Sequence, residues 1–264
     1  MSTNRPAILA SVKRAVRKRC GFGCVFCGIP FYEYDHMEPW SDVQEHDPDN
    51  LTLLCSNHHS EKGRGLISLE QIRAANRRPR NVLAGNSAPY VLRYEGLASR
   101  VSIGTNEFFQ VLGEKECSDT LVLNGEPVFR LRTEGANLLI TARLMDPSGG
   151  DALWIEDNEL CYSSGHWDVE FIADRLVIRS AMREIIVKVV FNPPGGISIE
   201  RGFFSHEGLS VRVTPRGIEH QDSRSSIGGN VKAGSFRRGI DLWDPDHYPG
   251  PRTAVVGLLL GRAG

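Results

Sequence analysis

Two pairs of potential metal ligands, each separated by two residues, stand in the first quarter of the chain: Cys24 with Cys27, and Cys55 with His58. Presented from two turns, these side chains can grip one tetrahedral ion, which makes a Cys3His structural zinc site. Cys20 is a rival to Cys24, and His59 is a rival to His58. A segment this small cannot bury enough apolar surface to offset its chain entropy, so a zinc ion, worth roughly 10 to 16 kcal/mol in finger peptides, would dominate its stability. Asp35, His36, Asn50 and His59 remain once zinc is served, with Lys62 one helical turn beyond His59. A finger built only for support needs none of them, and this surplus of acid, imidazole and amide points to catalysis. Adjacent Asp35 and His36 point to opposite sides of a strand unless a bend or bulge brings them together.

The stretch reads Cys24-x-x-Cys27, Asp35-His36, Asn50-Leu51-x-x-Leu54-Cys55-x-x-His58-His59-x-x-Lys62. In this it resembles the HNH endonuclease family, whose ββα-metal fold carries C-x-x-C, D-H and N-L-x-x-L-C-x-x-[CH]-H-x-x-K, over roughly the first 80 residues. Two departures stand out. His58 occupies a position where cysteine is usual, and the loop Ser41 to Asp49 lacks the common Gly-Gly and is acidic, its acids placed to assist a divalent ion.

The resemblance implies a role for each surplus residue. His36 is the general base that takes a proton from water, Asp35 and His59 hold one divalent ion, Mg²⁺ or Mn²⁺, and Asn50 bonds across the loop to fix the strand bearing His36. The implied products are a 5′ phosphate and a 3′ hydroxyl. Lys62 is either a helix-surface lysine or a phosphate contact. The implied substrate is DNA; the alternatives are an RNA-directed nuclease and a non-catalytic zinc-containing DNA-binding or adaptor protein.

These residues need elements to carry them. Ile8 to Arg19 has Ile8, Val12 and Val16 at helical spacing among Lys13, Arg14, Arg17, Lys18 and Arg19, which predicts an amphipathic basic helix. With Lys62 and Arg64 it offers a face for backbone phosphates, contacts that position without reading sequence. Residues 20–62 read as a knuckle, two brief strands and a helix entry, and Ser68 is a candidate N-cap for a helix through Ala75. The Arg-, Pro- and Gly-rich run that follows reads as a linker over 81–89, between a nuclease domain at 1–80 and a second domain at 90–264.

From Tyr90 onward short β-branched and aromatic runs alternate with turns. Leu209, Val211 and Val213 set against Ser210, Arg212 and Thr214 give a two-residue period, and Asn124-Gly125 is a hairpin signal. This half is expected to be all-β, a sandwich, barrel or roll, ending in a buried strand at AVVGLLLG. The overall class is therefore α+β. Trp154, His166-Trp167 and Trp243 are read as core or satisfied turn residues and not as a ligand cage, and His206 and His220 receive no role.

With 31 Lys plus Arg against 32 Asp plus Glu, the net charge of -1 excludes a globally basic coat protein and leaves any polyanion to a local patch. No apolar run approaches the ~20 residues of a membrane helix. No secretory leader is read, so a cytoplasmic protein without a membrane partner is expected. Recognition, sensing of an unidentified ligand, or oligomerisation falls to the β domain, and a homodimer would let two sites cut a duplex. Restriction or anti-phage defence is the setting such a two-part architecture suggests by analogy.

Overall fold

The computed structural model describes residues 5–220, 226–227, 229–247, 250, 254 and 256–259. Two compact units emerge: Met1–Tyr90 with Cys161–Phe171, and Val91–Leu160 with Ile172–Gly264.

In the first unit, α1 (Ala10–Arg19) turns its apolar stripe of Val12 and Val16 onto a small core with Cys20, Val25, Leu51, Leu53 and Leu54. A knuckle follows, then β1 (Glu33–His36), the short α2 (Trp40–Val43), a 3-10 turn at Pro48–Asn50, β2 (Leu51–Leu54) and α3 (Ser56–Gly63). β1 and β2 pair antiparallel with Asp35 opposite Thr52 and His36 opposite Leu51. Every β2 residue is buried, as its apolar sequence LTLL requires. Ser68 caps α4 (Leu69–Arg77) with a full capping box, its side chain accepting from the Gln71 N–H while Gln71 accepts from the Ser68 N–H.

The stretch 81–89, expected as a linker, is folded into this unit. Pro79 opens α5 (Arg80–Ala84), which ends on Gly85 in the left-handed region. Fully buried Asn81 donates its amide to the carbonyls of Gly21 and Gly28, 3.0 Å each. Gly28 has φ +75°, and a Cβ there would overlap the Asn81 amide, so glycine is required on both counts. Ser87 and Ala88 donate backbone N–H groups to Tyr162 and Gly28. The second segment of the unit, Cys161–Phe171, lies within the stretch expected to be wholly β domain.

The second unit is built of strands. Cys117–Leu123, Glu126–Glu134, Asn137–Met145 and Asp151–Glu156 run as antiparallel neighbours, the first pair joined at Asn124-Gly125 with both residues at positive φ. A further series comprises Arg175–Ala181, Glu184–Asn192, Gly196–His206, Leu209–Thr214 and Gly217–His220. Gly196–His206 also pairs in parallel with Ala98–Ile103, as Arg238–Trp243 does with Cys117–Leu123. Leu209, Val211 and Val213 are buried on their strand, in keeping with the two-residue period. Val256–Leu259 forms a strand parallel to Arg238–Trp243, while the burial expected of AVVGLLLG falls outside the described residues. Among the described residues no helix is long and apolar enough to cross a membrane.

Candidate active site

The knuckle is a tight turn in which Gly28 donates its N–H to the Cys24 carbonyl and Val25 donates to Leu53 of β2. This ties the first ligand pair to the strand that leads into the second. The Cys24, Cys27 and Cys55 sulfurs and the His58 ring nitrogen lie within 4.8 Å of one another, and among the described residues this is the one cluster of three or more such ligands. The Cys27 and Cys55 sulfurs are 3.8 Å apart, while His58 Nδ1 stands 3.3 Å from Cys24 Sγ and 3.1 Å from Cys55 Sγ. Ligands of a tetrahedral zinc ion stand about 3.8 Å apart for two thiolates and about 3.6 Å for thiolate and imidazole. The donor set and its spacing therefore fit zinc.

A shared hydrogen bond sets the two knuckle thiols apart. The Cys24 thiol is pushed down to about 4 by a hydrogen bond from Cys27 and by backbone N–H groups of the knuckle, against the opposing effect of burial. Cys27 is pushed up by the hydrogen bond it gives Cys24 and by burial. The Phe26 ring stacks on His58 at 4.9 Å between centroids and holds the imidazole in place. Of the two rivals, Cys20 lies in the apolar core of α1 and β2 with its thiol pushed up by burial, and His59 faces away from the cluster toward Asp35.

That orientation brings a second pair of potential ligands together. Asp35 Oδ1, at the buried end of β1, is 3.3 Å from His59 Nε2 on α3. Donor atoms in the shell of one small divalent ion stand about 3 Å apart, so the pair fits such an ion. Glu33, two residues before Asp35 on the same strand face, places Oε2 4.0 Å from His59 Nδ1. Lys62, one turn beyond His59, donates to Asp35 Oδ2 at 2.5 Å and to the His36 carbonyl. These contacts hold the carboxylate in a single orientation.

His36 is 4% exposed and makes its side-chain hydrogen bonds with a different set of residues. Its Nδ1 is 2.6 Å from Arg5 Nη2, and its Nε2 is 3.3 Å from the Glu45 carbonyl and 3.2 Å from His46 Nδ1. Burial, then the Arg5 charge, lowers its pKa below the ordinary histidine range, which keeps the ring neutral near pH 7. Asn50 holds the turn after β1 from across the loop: its Oδ1 accepts from the Glu38 N–H at 2.8 Å, its Nδ2 donates to the Glu38 carbonyl at 3.2 Å, and its own carbonyl accepts from Met37.

Among the described residues the loop acids do not gather into a metal cluster. Asp47 caps the 3-10 turn and Asp49 pairs with Arg19 at 3.3 Å. Arg17, expected on the phosphate-facing surface, is instead buried: its guanidinium donates to both oxygens of Asp168 at 3.0 and 2.8 Å and to Tyr34 Oη at 2.8 Å, with Glu170 at 3.0 Å. Lys13 lies over the Tyr34 ring, Arg14 over Trp167, and Lys18 reaches the Gly165 and His166 carbonyls. Arg64 is exposed beyond α3. Sequence reasoning missed Glu33, Arg5 and His46. Only Glu33 carried a readable signal, the i, i+2 spacing to Asp35 on a strand.

Comparison with curated proteins and with solved structures gives no match. Residues 20–65, the stretch from the start of the knuckle through the end of α3, match the family model of the HNH endonucleases.

Proposed function

We propose that the first unit is a metal-dependent nuclease that hydrolyses phosphodiester bonds in DNA. The observation that carries this is the meeting of Asp35 and His59 on elements tied together by a Cys3His cluster, with the buried His36 next to Asp35 along β1. A structural zinc ion at Cys24, Cys27, Cys55 and His58 would stabilise the knuckle against β2 and the start of α3. When bound at Asp35 and His59, Mg²⁺ or Mn²⁺ supplies the charge that polarises the scissile phosphate and stabilises the departing 3′ oxygen.

The chain's own groups do the rest. His36 takes the proton of the attacking water, and its lowered pKa keeps it in the proton-accepting form. Lys62 and Glu33 hold Asp35 and His59 in orientation, and Asn50 fixes the turn on which His36 ends. Lys13, Arg14, Lys18 and Arg64 contribute positive charge along the backbone of the strand being cut. The β unit, rich in sheet surface, takes recognition or sensing, in keeping with a restriction or defence role.

The test is direct. Purified protein is incubated with plasmid, single-stranded DNA and RNA, each with Mg²⁺, Mn²⁺, Ni²⁺ or EDTA. Nicking of plasmid that needs a divalent ion and stops in EDTA is expected. Cutting of RNA alone would reassign the substrate, and no cutting with any ion would leave a non-catalytic zinc-containing nucleic-acid binder.

A further inference from the structure

The chain just before α1 reaches back to the base. Arg5 Nη2 stands 2.6 Å from His36 Nδ1, with its guanidinium 4.9 Å from the centroid of the Trp40 ring. The next residue, Pro6, places its carbonyl 2.7 Å from His46 Nε2. A guanidinium can only donate, so His36 Nδ1 is the acceptor and the proton of the neutral ring sits on Nε2. That proton faces the Glu45 carbonyl at 3.3 Å and His46 Nδ1 at 3.2 Å. His46 Nδ1 can then accept, and its own proton on Nε2 points to the Pro6 carbonyl.

One assignment of protons satisfies the whole circuit, which leaves Arg5, passes through two imidazoles and returns to the arm at Pro6. In that state both nitrogens of His36 are engaged. A neutral imidazole has one lone pair for accepting, and Arg5 occupies it. No water can hand its proton to His36 until Arg5 moves.

We propose that this arm is a strap displaced by substrate: Arg5 caps the proton-accepting nitrogen of His36 in the free protein and passes to a phosphate oxygen of the incoming nucleic-acid strand. The proposal rests on the reading of His36 as the base. Among the described residues no carboxylate neutralises Arg5, so its charge is met only by an uncharged imidazole and an aromatic face. A phosphate offers a charged, bidentate acceptor, and hydrogen bonds of that kind are about twice as strong as neutral ones. The exchange therefore runs in the direction of binding. Arg5 and Pro6 are both exposed, and lifting them unpacks none of the core around α1 and β2. The same movement that opens the base adds a contact to the strand to be cut, which couples activation to substrate arrival.

The experiment compares wild type, Arg5→Ala, Arg5→Lys and His36→Ala in steady-state cleavage of a DNA duplex at saturating Mg²⁺ or Mn²⁺, with zinc content measured for each. His36→Ala reads the underlying assignment alone, and wild-type rates in that variant would remove the base and the strap with it. With His36→Ala silent, Arg5→Ala is expected to raise KM about tenfold, the loss of one charge-assisted contact, with kcat undiminished, and Arg5→Lys to recover part of that loss. An unchanged KM in Arg5→Ala would overturn the transfer to phosphate. A fall in kcat would also overturn the proposal, because it would place Arg5 in the chemical step instead of on a cap.

Discussion

His36 and Asp35 are neighbours in sequence with separate surroundings, and the alternation of a strand accounts for the division. Asp35 turns toward α3, where His59 and Lys62 meet it, while His36 turns toward the loop, where Arg5, Glu45 and His46 meet it. Replacing each should therefore produce a distinct deficit. His36→Ala is expected to lower kcat by a factor on the order of 10² to 10⁴ while zinc content and the far-ultraviolet spectrum stay at wild-type values. Zinc loss from that variant would mean that His36 belongs to the metal cluster. Asp35→Asn is expected to raise the divalent-ion concentration needed for half-maximal cleavage, with zinc again retained; an unchanged metal requirement would take Asp35 out of the ion's shell. At this scale the sequence was informative wherever ligands are close along the chain. Cys24 with Cys27 and Cys55 with His58 have fixed local spacing, and the four atoms gather as that spacing predicts. Arg5 and His46 reach His36 from 31 and 10 residues away through an irregular arm and loop, and no periodicity marks such an approach.

The knuckle, β2 and α3 depend on contacts at two points. On one side the Cys3His cluster joins the knuckle to the β2–α3 junction. On the other, Asn81 of α5 holds the carbonyls of Gly21 and Gly28 on either side of the knuckle. Cys27→Ser removes a thiolate from the first and should release zinc, with loss of the near-ultraviolet signal of this unit and of cleavage. A Cys27→Ser protein that remained folded, zinc-loaded and active would remove the structural site. Asn81→Ala takes the amide donor from the Gly21 carbonyl and leaves the Gly28 carbonyl with the Ala88 N–H alone, and should cost about 1–3 kcal/mol, read as a lower denaturation midpoint with zinc still bound. An unchanged midpoint would mean that water replaces the amide. The stripe of α1 and the Ser68 cap were legible because both are local patterns. The helix Arg80–Ala84 was not, since Arg, Pro, Gly and Asn in one run describe a linker by composition, and only the buried partner of Asn81 makes the run an element.

The chain as a whole closes its first unit with a segment that arrives late. Cys161–Phe171 belongs with Met1–Tyr90, and the link is made by side chains far apart in sequence: Arg17 with Asp168, 151 residues on, and the Tyr162 hydroxyl donating to the Phe22 carbonyl at 2.7 Å. Such pairings, like the parallel registers of the β unit, follow from chain topology and leave no trace in local spacing, so the domain limits read from composition stop short of them. The energetic consequence is specific. Arg17 and Asp168 have side chains only 8% and 4% exposed, so neither charge can be rehydrated if the other is removed. Burial alone would favour loss of the Arg17 proton, yet its hydrogen bond and charge interaction with Asp168 and Tyr34 more than offset that and hold it charged. Breaking a buried pair of this kind costs about 3–5 kcal/mol, whereas replacing both partners with apolar residues of similar volume is often neutral. Asp168→Leu should therefore lower stability by that amount in urea denaturation, and Arg17→Met combined with Asp168→Leu should restore most of the loss. If the double variant were as unstable as the single one, the ion pair would be needed for its geometry, with Tyr34 and Glu170 as the groups that lose the guanidinium. If Asp168→Leu were neutral, residues 161–171 would contribute nothing through this pair to the stability of the first unit.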